Sequence, residues 1–345
     1  SLPGILAAFI EPFAGVLGNV WKRRILILGG GLVFTASLIL TAVSRSFAPL
    51  LISFILFYPA SGAFVSLSQA ALMDSAPERH EQNMARWTLA GSIGNVMGPL
   101  LLGVFVFFGL GWRGSYASLA VLAGICLVAA IRLTPRDPDG LPRIPSFSSV
   151  WEGFREAFQA LKRREVWRWL ILLEFSDLMM DVLLGFLALY FVDVAGVSET
   201  QAGIAVTIWL AMGLVTDFLF IPYIDRQPDS VKFLRRAGGL AVIAYTIFML
   251  VPGFLPKLLA VVVVSLSTTG WYPVLQGRLY SELPGQSSLM LVVGAVTMPL
   301  GKLLPFMIGL LADSFGLGTA MWLLLLGPAA LIIGLPRSAQ TQETT

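Results

Sequence analysis

Six ionisable side chains lie inside long apolar runs of the sequence. They are Glu11, Glu174, Asp177, Asp181, Asp217 and Lys302. Glu174, Asp177 and Asp181 are spaced i, i+3 and i+7, so at about 100° per residue they share one face of a helix. Crowded carboxylates are suited to exchanging protons. We therefore expect this face to line a wet cavity; the alternative is that the acids cap nearby backbone or pair with a base.

The composition describes a chain whose apolar surface must be covered by lipid. Of its 345 residues, 57% are hydrophobic and 12% are charged, whereas soluble domains contain about 25% charged residues. The single cysteine, Cys126, and the single histidine, His80, exclude an intrachain disulfide and a site built on paired histidines. They also supply no nucleophile–base pair or metal cluster of the usual kinds. We expect no enzymatic activity, no cofactor and no metal site.

Eleven apolar runs are long enough to form helices across a bilayer core, which needs about 20 residues. They are residues 1–19, 25–43, 49–73, 88–108, 114–131, 168–192, 200–224, 237–253, 257–280, 288–312 and 318–335. The sequence thus predicts an all-α polytopic membrane protein surrounded by a lipid bilayer.

Lysine and arginine are sorted between alternate loops. Of 23 such residues, nineteen fall in one set of loops, Lys302 lies in a span, and the other loops hold Arg45, Arg113 and Lys257. Because positive charges collect in cytoplasmic loops, we expect the C-terminus to be cytoplasmic, in a prokaryotic plasma (inner) membrane. This sorting also argues against nucleic-acid binding. Asp74, His80 and Arg86 are expected on the solvated cytoplasmic face.

The predicted organisation has four parts. They are an N-terminal bundle at 1–132, a cytoplasmic linker at 133–166, a six-helix bundle at 167–336 and a cytoplasmic tail at 337–345. Within the linker, Trp151, Phe154 and Phe158 recur at helical spacing, and Ser149 with Glu152 matches a capping box. We interpret this segment as an amphipathic helix on the cytoplasmic face, which connects the bundles and could also sense lipid or a partner.

The sequences of the two bundles indicate that they are copies of one unit. A shift of 207 residues aligns Gln69 with Gln276, Pro77 with Pro284, Gly94 with Gly301, Gly109 with Gly316 and Gly111 with Gly318. A shift of 206 aligns Glu11 with Asp217 and Asn19 with Asp225. Glu11 and Asp217 each lie about 12 Å of helix from the neighbouring loop. Either they carry protons, or they accept hydrogen bonds that fasten a gate.

The first copy has five predicted spans and the second has six. The counterpart of 168–192 would precede Ser1, and a chain that starts at serine fits that loss. We therefore expect a fragment without its first transmembrane helix, with bundles of five and six helices.

Six plus six helices in parallel halves, joined by a cytoplasmic linker, resemble the major facilitator superfamily. The segment 15–24 resembles the loop signature of that family, in which Gly15, Gly18 and Arg23 match and Asn19 stands where an acid is usual. The resemblance implies a two-bundle fold and a gating role for this loop.

Two further segments resemble gating elements of the family. Asp225 and Arg226 occupy the loop position in the second half, and Gly94, Gly98 and Pro99 match a glycine-proline signature. Glycines four residues apart let helix backbones approach closely, and proline loosens a helix where it bends.

The resemblance also implies a central cavity that Asp177 faces. Five residues would either line it or pack between helices: Tyr58, Gln69, Trp271, Tyr272 and Gln276. We expect Lys302 to pair with Asp177 or Glu174 rather than Glu11, because a bond to Glu11 would have to break in each transport cycle.

These features predict a secondary active transporter that moves a small molecule with protons by alternating access and functions as a monomer. Five intramembrane acids against one base favour proton-coupled efflux of a cationic or neutral amphipathic compound. Lys302 favours the alternative, a proton-coupled uptake symporter for a small nutrient or an organic anion.

Overall fold

The computed structural model describes residues 2–134, 145–226 and 229–336, with the backbone alone at Leu2, Ile5, 297–300 and Lys302. Within these ranges the chain forms α1 (Leu2–Val20), α2 (Arg23–Val43), α3 (Phe47–Ser61), α4 (Leu67–Ser75), α5 (His80–Phe107), α6 (Gly111–Leu133), α7 (Phe147–Ala160), α8 (Arg164–Asp177), α9 (Leu183–Leu189), α10 (Glu199–Ile224), α11 (Ser230–Leu250), α12 (Phe254–Ser267), α13 (Trp271–Ser281), α14 (Met290–Phe315), α15 (Leu317–Ala320) and α16 (Leu326–Gly334). Three π-helical segments, Gly62–Ser66, Leu178–Val182 and Tyr190–Val194, continue neighbouring helices. Short 3₁₀ turns lie at Pro77–Arg79, Ser287–Leu289 and Met321–Leu325.

Eight helical stretches of the described residues are long and apolar enough to cross a membrane. They are Arg23–Val43, Phe47–Ser75, Pro77–Phe107, Gly111–Leu133, Glu199–Ile224, Ser230–Leu250, Phe254–Ser281 and Leu317–Gly334. Leu6–Val20, Ser287–Val296 and Leu303–Phe315 are shorter apolar helices. Each predicted run overlaps helical residues, although a turn at 268–270 interrupts the run 257–280 and α11 ends at Leu250, before the end of the run 237–253. The count of eleven spans stays a prediction.

Helix bounds recur between the two halves of the sequence. Helix α2 has the length of α11, which begins and ends 207 residues later, and α12 likewise begins 207 residues after α3. Gly109 and Gly316 both adopt positive φ, 73° and 83°, a conformation that glycine reaches without strain. The two copies therefore repeat their turns as well as their helices, as a duplication predicts.

The residues form two compact units, which do not follow the order of the chain. Unit 1 contains Ser1–Arg79, Met97–Arg163 and Tyr280–Thr297, and unit 2 contains His80–Val96, Arg164–Leu279 and Met298–Thr345. Each unit thus takes one helical segment from the opposite sequence repeat. The four predicted domain ranges divide the chain by sequence and stay a prediction.

Unit 1 has an apolar core between α2, α3 and α6. The Phe34 and Phe57 rings lie 4.9 Å apart and pack against buried Leu38, Ala120 and Ala123. Small residues on α6 let the helices approach closely enough for the aromatic rings to fill the space between them.

Helix α7 begins earlier than its sequence pattern suggests. Ser146, rather than Ser149, is the N-cap, and its side chain accepts a hydrogen bond from the Ser149 backbone N–H over 3.2 Å. The predicted capping box at Ser149 is therefore wrong by one turn, because Phe147 and Ser148 are already helical.

Unit 2 has a buried lysine where the sequence predicts a loop. Lys257 is 6% exposed in the first turn of α12. Its Nζ donates to the Phe248 carbonyl over 2.8 Å and to the Tyr190 hydroxyl over 3.0 Å. Placing Lys257 in an outer loop is thus incorrect, because α12 starts at Phe254 and the end of α11 offers carbonyls that attract a cation.

Candidate functional site

Unit 2 contains a cavity of about 450 Å³. Its walls come from α5, from the stretch α8–α9, from α10 and from the region where α12 meets α13. The polar residues that line it are Thr88, Ser92, Asn95, Asp177, Asp181, Thr216, Asp217, Ser265, Thr268, Thr269 and Tyr272. A cavity of this size can hold a drug-sized molecule or a sugar.

Asp177 and Asp181 reach the cavity from one helical stretch. Asp177 ends α8, and Asp181 lies in the π segment Leu178–Val182. Their separation of four residues is close to one helical turn in either geometry. Both carboxyl groups therefore face the same space, and π turns of this kind are frequent at functional sites.

Asp217 reaches the same cavity from α10 and is tied to α5. The Ser92 hydroxyl donates a hydrogen bond to Oδ2 of Asp217. Ser92 belongs to the first sequence repeat and Asp217 to the second, and both lie within unit 2. This bond links a helix of one repeat to a cavity acid of the other.

Aromatic side chains complete the walls. Trp87, Trp209 and Tyr272 lie with the three acids among the lining residues, and no lysine or arginine whose side chain the structure describes is among them. An aromatic face attracts a cation, and a carboxylate does so more strongly. The electrostatic character of this lining therefore favours positively charged or hydrogen-bond-donating molecules.

Two predicted site residues, Glu174 and Glu11, lie elsewhere. Glu174 is absent from the cavity lining and lies against α14, where a Cβ on Gly301 would come within 2.5 Å of its Oε2. Glu11 lies in unit 1, against Gly62, whose Cβ position is 2.9 Å from the Glu11 Cγ. The side chain of Lys302 is outside the described residues, so its pairing stays a prediction.

The five aromatic and amide residues predicted to line a cavity are distributed differently. Only Tyr272 of these five is among the lining residues of this cavity. Trp271 is fully buried in the core of unit 2, while Gln69 and Gln276 are half-buried. Tyr58 is 41% exposed in unit 1.

The loop signature in unit 1 forms a network of contacts. Arg23 donates from Nε to the Gly18 carbonyl over 3.0 Å and from Nη1 to Oδ2 of Asp74 over 2.7 Å. The Ser287 hydroxyl donates to the other Asp74 oxygen over 2.6 Å. Asp74 thus joins α2 to the turn before α14, whereas the sequence predicts a solvated carboxylate.

Gly15, Gly18 and Asn19 lie at the end of α1 beside this network. A Cβ on Gly15 would come within 2.8 Å of the Ser288 carbonyl oxygen, and one on Gly18 within 3.0 Å of the Ser288 hydroxyl. Asn19 is half-buried. The two glycines allow the Ser287–Leu289 turn to approach α1 closely.

Unit 2 has a comparable network, which again joins an arginine, a carboxylate and a serine hydroxyl. Glu81 forms an ion pair with Arg278 at 2.6 Å and accepts a hydrogen bond from the Ser230 hydroxyl over 3.0 Å. Asp225 pairs with Arg86 at 3.4 Å, while Arg226 is exposed. Neither Glu81 nor Arg278 can be recognised as part of a site from the sequence, because each is a charged residue beside a loop. His80, also expected to be solvated, is in fact 5% exposed and therefore buried.

The glycine-proline signature lies on an open surface of α5. Gly94 and Gly98 have no described heavy atom within 4 Å of the Cβ position, and Pro99 is accommodated inside the helix. The close approach expected at these glycines is therefore not made by any side chain that the structure describes.

Among the described residues, no group of three or more histidine, cysteine or acidic side chains is arranged to hold a metal ion.

Similarity to known sequences points to one family. A model of the Major Facilitator Superfamily matches residues 1–276. A probable sugar efflux transporter of Mannheimia succiniciproducens is 26% identical over 65% of this chain and 53% of its own length. A chloramphenicol resistance protein of Streptomyces lividans is 26% identical over 68% of this chain and 58% of its own length. The matched regions thus span little more than half of these relatives.

Solved structures share the fold. FucP, the E. coli fucose:proton symporter, matches in its outward conformation with a TM-score of 0.71 and 17% identity, covering 96% of this chain and 86% of FucP. The proton:xylose symporter XylE matches with a TM-score of 0.69 and 16% identity, covering 95% and 82%. At these identities the likeness shows the fold alone.

These matches confirm the predicted all-α two-bundle fold of an integral membrane protein. Because the family model covers residues 1–276 of 345, the chain belongs to the Major Facilitator Superfamily, a family of membrane transporters and not of enzymes.

Proposed function

We propose that the protein is a secondary transporter that exports a cationic or neutral amphipathic compound in exchange for protons. The cavity of unit 2 supports this proposal, because Asp177, Asp181 and Asp217 lie in it with Trp87 and Trp209, and none of its described lining residues is basic. We further propose that it works as a monomer in a prokaryotic plasma membrane with its C-terminus cytoplasmic, as the sorting of lysine and arginine suggests.

The cavity acids would couple substrate export to proton import, because the substrate and the protons would compete for the same carboxylates. A bound cation favours ionised carboxylates, whereas protons remove the charge that attracts the cation. The indole faces of Trp87 and Trp209 would add cation–π attraction and apolar contact. One site would then hold either the substrate or protons, as exchange requires.

The two polar networks would act as gates. Asp74 joins Arg23 to Ser287, and Glu81 joins Arg278 to Ser230. Each network links helices of the two sequence repeats, so alternating access would require these bonds to break and re-form in every cycle.

A second candidate is a proton-coupled uptake symporter for a small nutrient such as a sugar, or for an organic anion. The hydroxyl groups of Thr88, Thr216, Ser265 and Thr268 in the cavity favour a polyol substrate. Two of the proteins of similar fold are named as sugar–proton symporters, and one relative is named as a sugar efflux transporter. The three acids and the aromatic side chains of the cavity favour the first candidate, the exchange of a cationic or neutral amphipathic compound for protons.

Transport in proteoliposomes under an imposed pH gradient tests the proposal. Tetraphenylphosphonium and ethidium probe the cationic class, chloramphenicol the neutral class, and L-fucose and D-xylose the sugar class. We expect the cation to move in the direction opposite to proton flow. Asp177→Asn should abolish this exchange, whereas Asp193→Asn, at an exposed acid outside the cavity, should retain it. Sugar uptake along the proton gradient, without cation exchange, would support the second candidate instead.

A further inference from the structure

Helix α7 lies on unit 1 with one narrow face. A Cβ on Gly153 would come within 2.6 Å of Val16 Cγ1, and Ala157 is buried with Val16, Leu289 and Val292 in one apolar cluster. Small residues therefore bring α7 close to α1 and to the start of α14. The helix is amphipathic and, at 14 residues, too short to cross a bilayer.

A second face of α7 carries large aromatic side chains that are exposed. Phe147 is 85% exposed, Trp151 65% and Phe158 54%. At about 100° per residue, their spacing places all three within roughly 40° of one line along the helix. An aromatic stripe of this kind in water would be unfavourable, so it requires a covering surface.

The flank of the stripe is basic. Arg155, Lys162 and Arg163 are exposed, and Arg163 also donates to the Glu282 carbonyl over 2.9 Å. Of the two acids on the helix, Glu156 is engaged by the Gln286 side chain over 3.2 Å. Tryptophan and phenylalanine beside lysine and arginine form the pattern by which a helix lies in the headgroup region of a bilayer.

We propose that α7 is an interfacial helix that binds anionic phospholipid, with its aromatic stripe among the acyl-chain ends and its basic flank on the headgroups. Since α7 packs on Val16 and Leu289, which adjoin the Gly15–Ser288 contact, lipid binding to α7 stabilises the packing of α1 against the turn before α14. This inference is independent of the substrate and of the direction of transport.

Fluorescent labels on adjacent residues test the orientation of α7. In a Cys126→Ser background, Phe158→Cys places an NBD fluorophore on the stripe, and Gln159→Cys places it on the exposed polar face. The protein is reconstituted in vesicles of phosphatidylcholine alone or with phosphatidylglycerol. We expect the label at 158 to be quenched by lipid-borne doxyl groups in the anionic vesicles, and the label at 159 to be quenched by aqueous iodide.

Charge and aromatic variants test the choice of lipid. Lys162→Gln and Arg155→Gln should each lower the ratio of lipid-quenched to iodide-quenched label at 158 about fivefold in anionic vesicles. Trp151→Ala should lower it in both lipid mixtures. Equal iodide quenching at 158 and 159 in anionic vesicles would overturn the proposal, as would protection of 158 that requires an added soluble protein. Protection that is the same without phosphatidylglycerol would overturn the anionic assignment.

Discussion

Individual acids of the cavity are held in different ways. Asp177 and Asp181 are placed by a helix that widens into a π turn, whereas Asp217 accepts a hydrogen bond from Ser92 on another helix. A substitution at Asp217 can therefore keep or remove the acceptor for the Ser92 hydroxyl. Comparing such substitutions separates the contribution of this hydrogen bond from that of the negative charge.

Asp217→Leu is expected to be less stable than Asp217→Asn by about 1–3 kcal/mol, because leucine leaves the Ser92 hydroxyl without its acceptor whereas asparagine retains an oxygen. Thermal unfolding in detergent, followed by fluorescence, measures the difference. Ser92→Ala combined with each variant is the control, since it should abolish the difference. Equal unfolding of the two single variants would contradict the bond between α5 and α10.

Substitution of Lys257 tests whether the hydrogen bonds of this buried side chain stabilise the protein. Lys257→Met keeps most of the side-chain volume but removes the donor to the Phe248 carbonyl and the Tyr190 hydroxyl. We expect a loss of about 1–2 kcal/mol in the free energy of unfolding. Lys232→Met, at an exposed i,i+3 ion pair, should change it by less than about 1 kcal/mol. An unfolding temperature unchanged by Lys257→Met would show that these donors do not stabilise α12.

Sequence spacing predicts some positions of the site and not others. The i, i+3, i+7 pattern indicates a shared face for Glu174, Asp177 and Asp181. The structure brings the last two to the cavity and leaves Glu174 against Gly301 of α14. The difference arises because Glu174 lies one turn nearer the start of α8, where a neighbouring helix rather than the cavity covers that face.

At the scale of elements, apolar runs predict where helices lie, and loop chemistry decides where they begin. Helix α2 follows its apolar run, 25–43, closely, whereas α11 begins at Ser230, well before its apolar run at 237–253, because Asp229 caps it. The start of α7 likewise depends on which of several serines caps it. The sequence does not predict the polar networks that link distant helices. Asp74 and Glu81 each sit beside a loop, and only the packing of distant segments brings Ser287 and Arg278 to them.

Gly15→Ala tests how closely α1 meets the turn before α14. The added Cβ would lie 2.8 Å from the Ser288 carbonyl oxygen and 2.8 Å from the Leu291 Cβ. We expect a loss of about 1–3 kcal/mol in stability, since backbone must move to relieve the overlap. Gly29→Ala, with no described heavy atom within 4 Å, should be neutral or stabilising by up to about 1 kcal/mol. Similar unfolding temperatures for the two variants would contradict this contact.

For the whole molecule, the composition and the repeat predict a membrane protein of two similar helical halves, and the resemblance to the family implies the two-bundle fold. The 207-residue offset seen in single glycines and prolines reappears in the bounds of α2, α3, α11 and α12. The exchange of segments between the compact units was not predictable. It depends on His80–Val96 packing with helices of the second repeat, and on Tyr280–Thr297 packing with the first.

Proton release on cation binding tests whether the three cavity acids, Asp177, Asp181 and Asp217, hold either a cation or protons. Tetraphenylphosphonium is titrated into unbuffered, detergent-solubilised protein with a pH indicator. We predict proton release on binding, an affinity that falls as the pH falls, and loss of both in the combined Asp177→Asn, Asp181→Asn and Asp217→Asn variant. Asp313→Asn, at an exposed position, should behave as the unmodified protein. Tetraphenylphosphonium binding that releases no protons and is unchanged in the triple variant would contradict this exchange at the cavity acids.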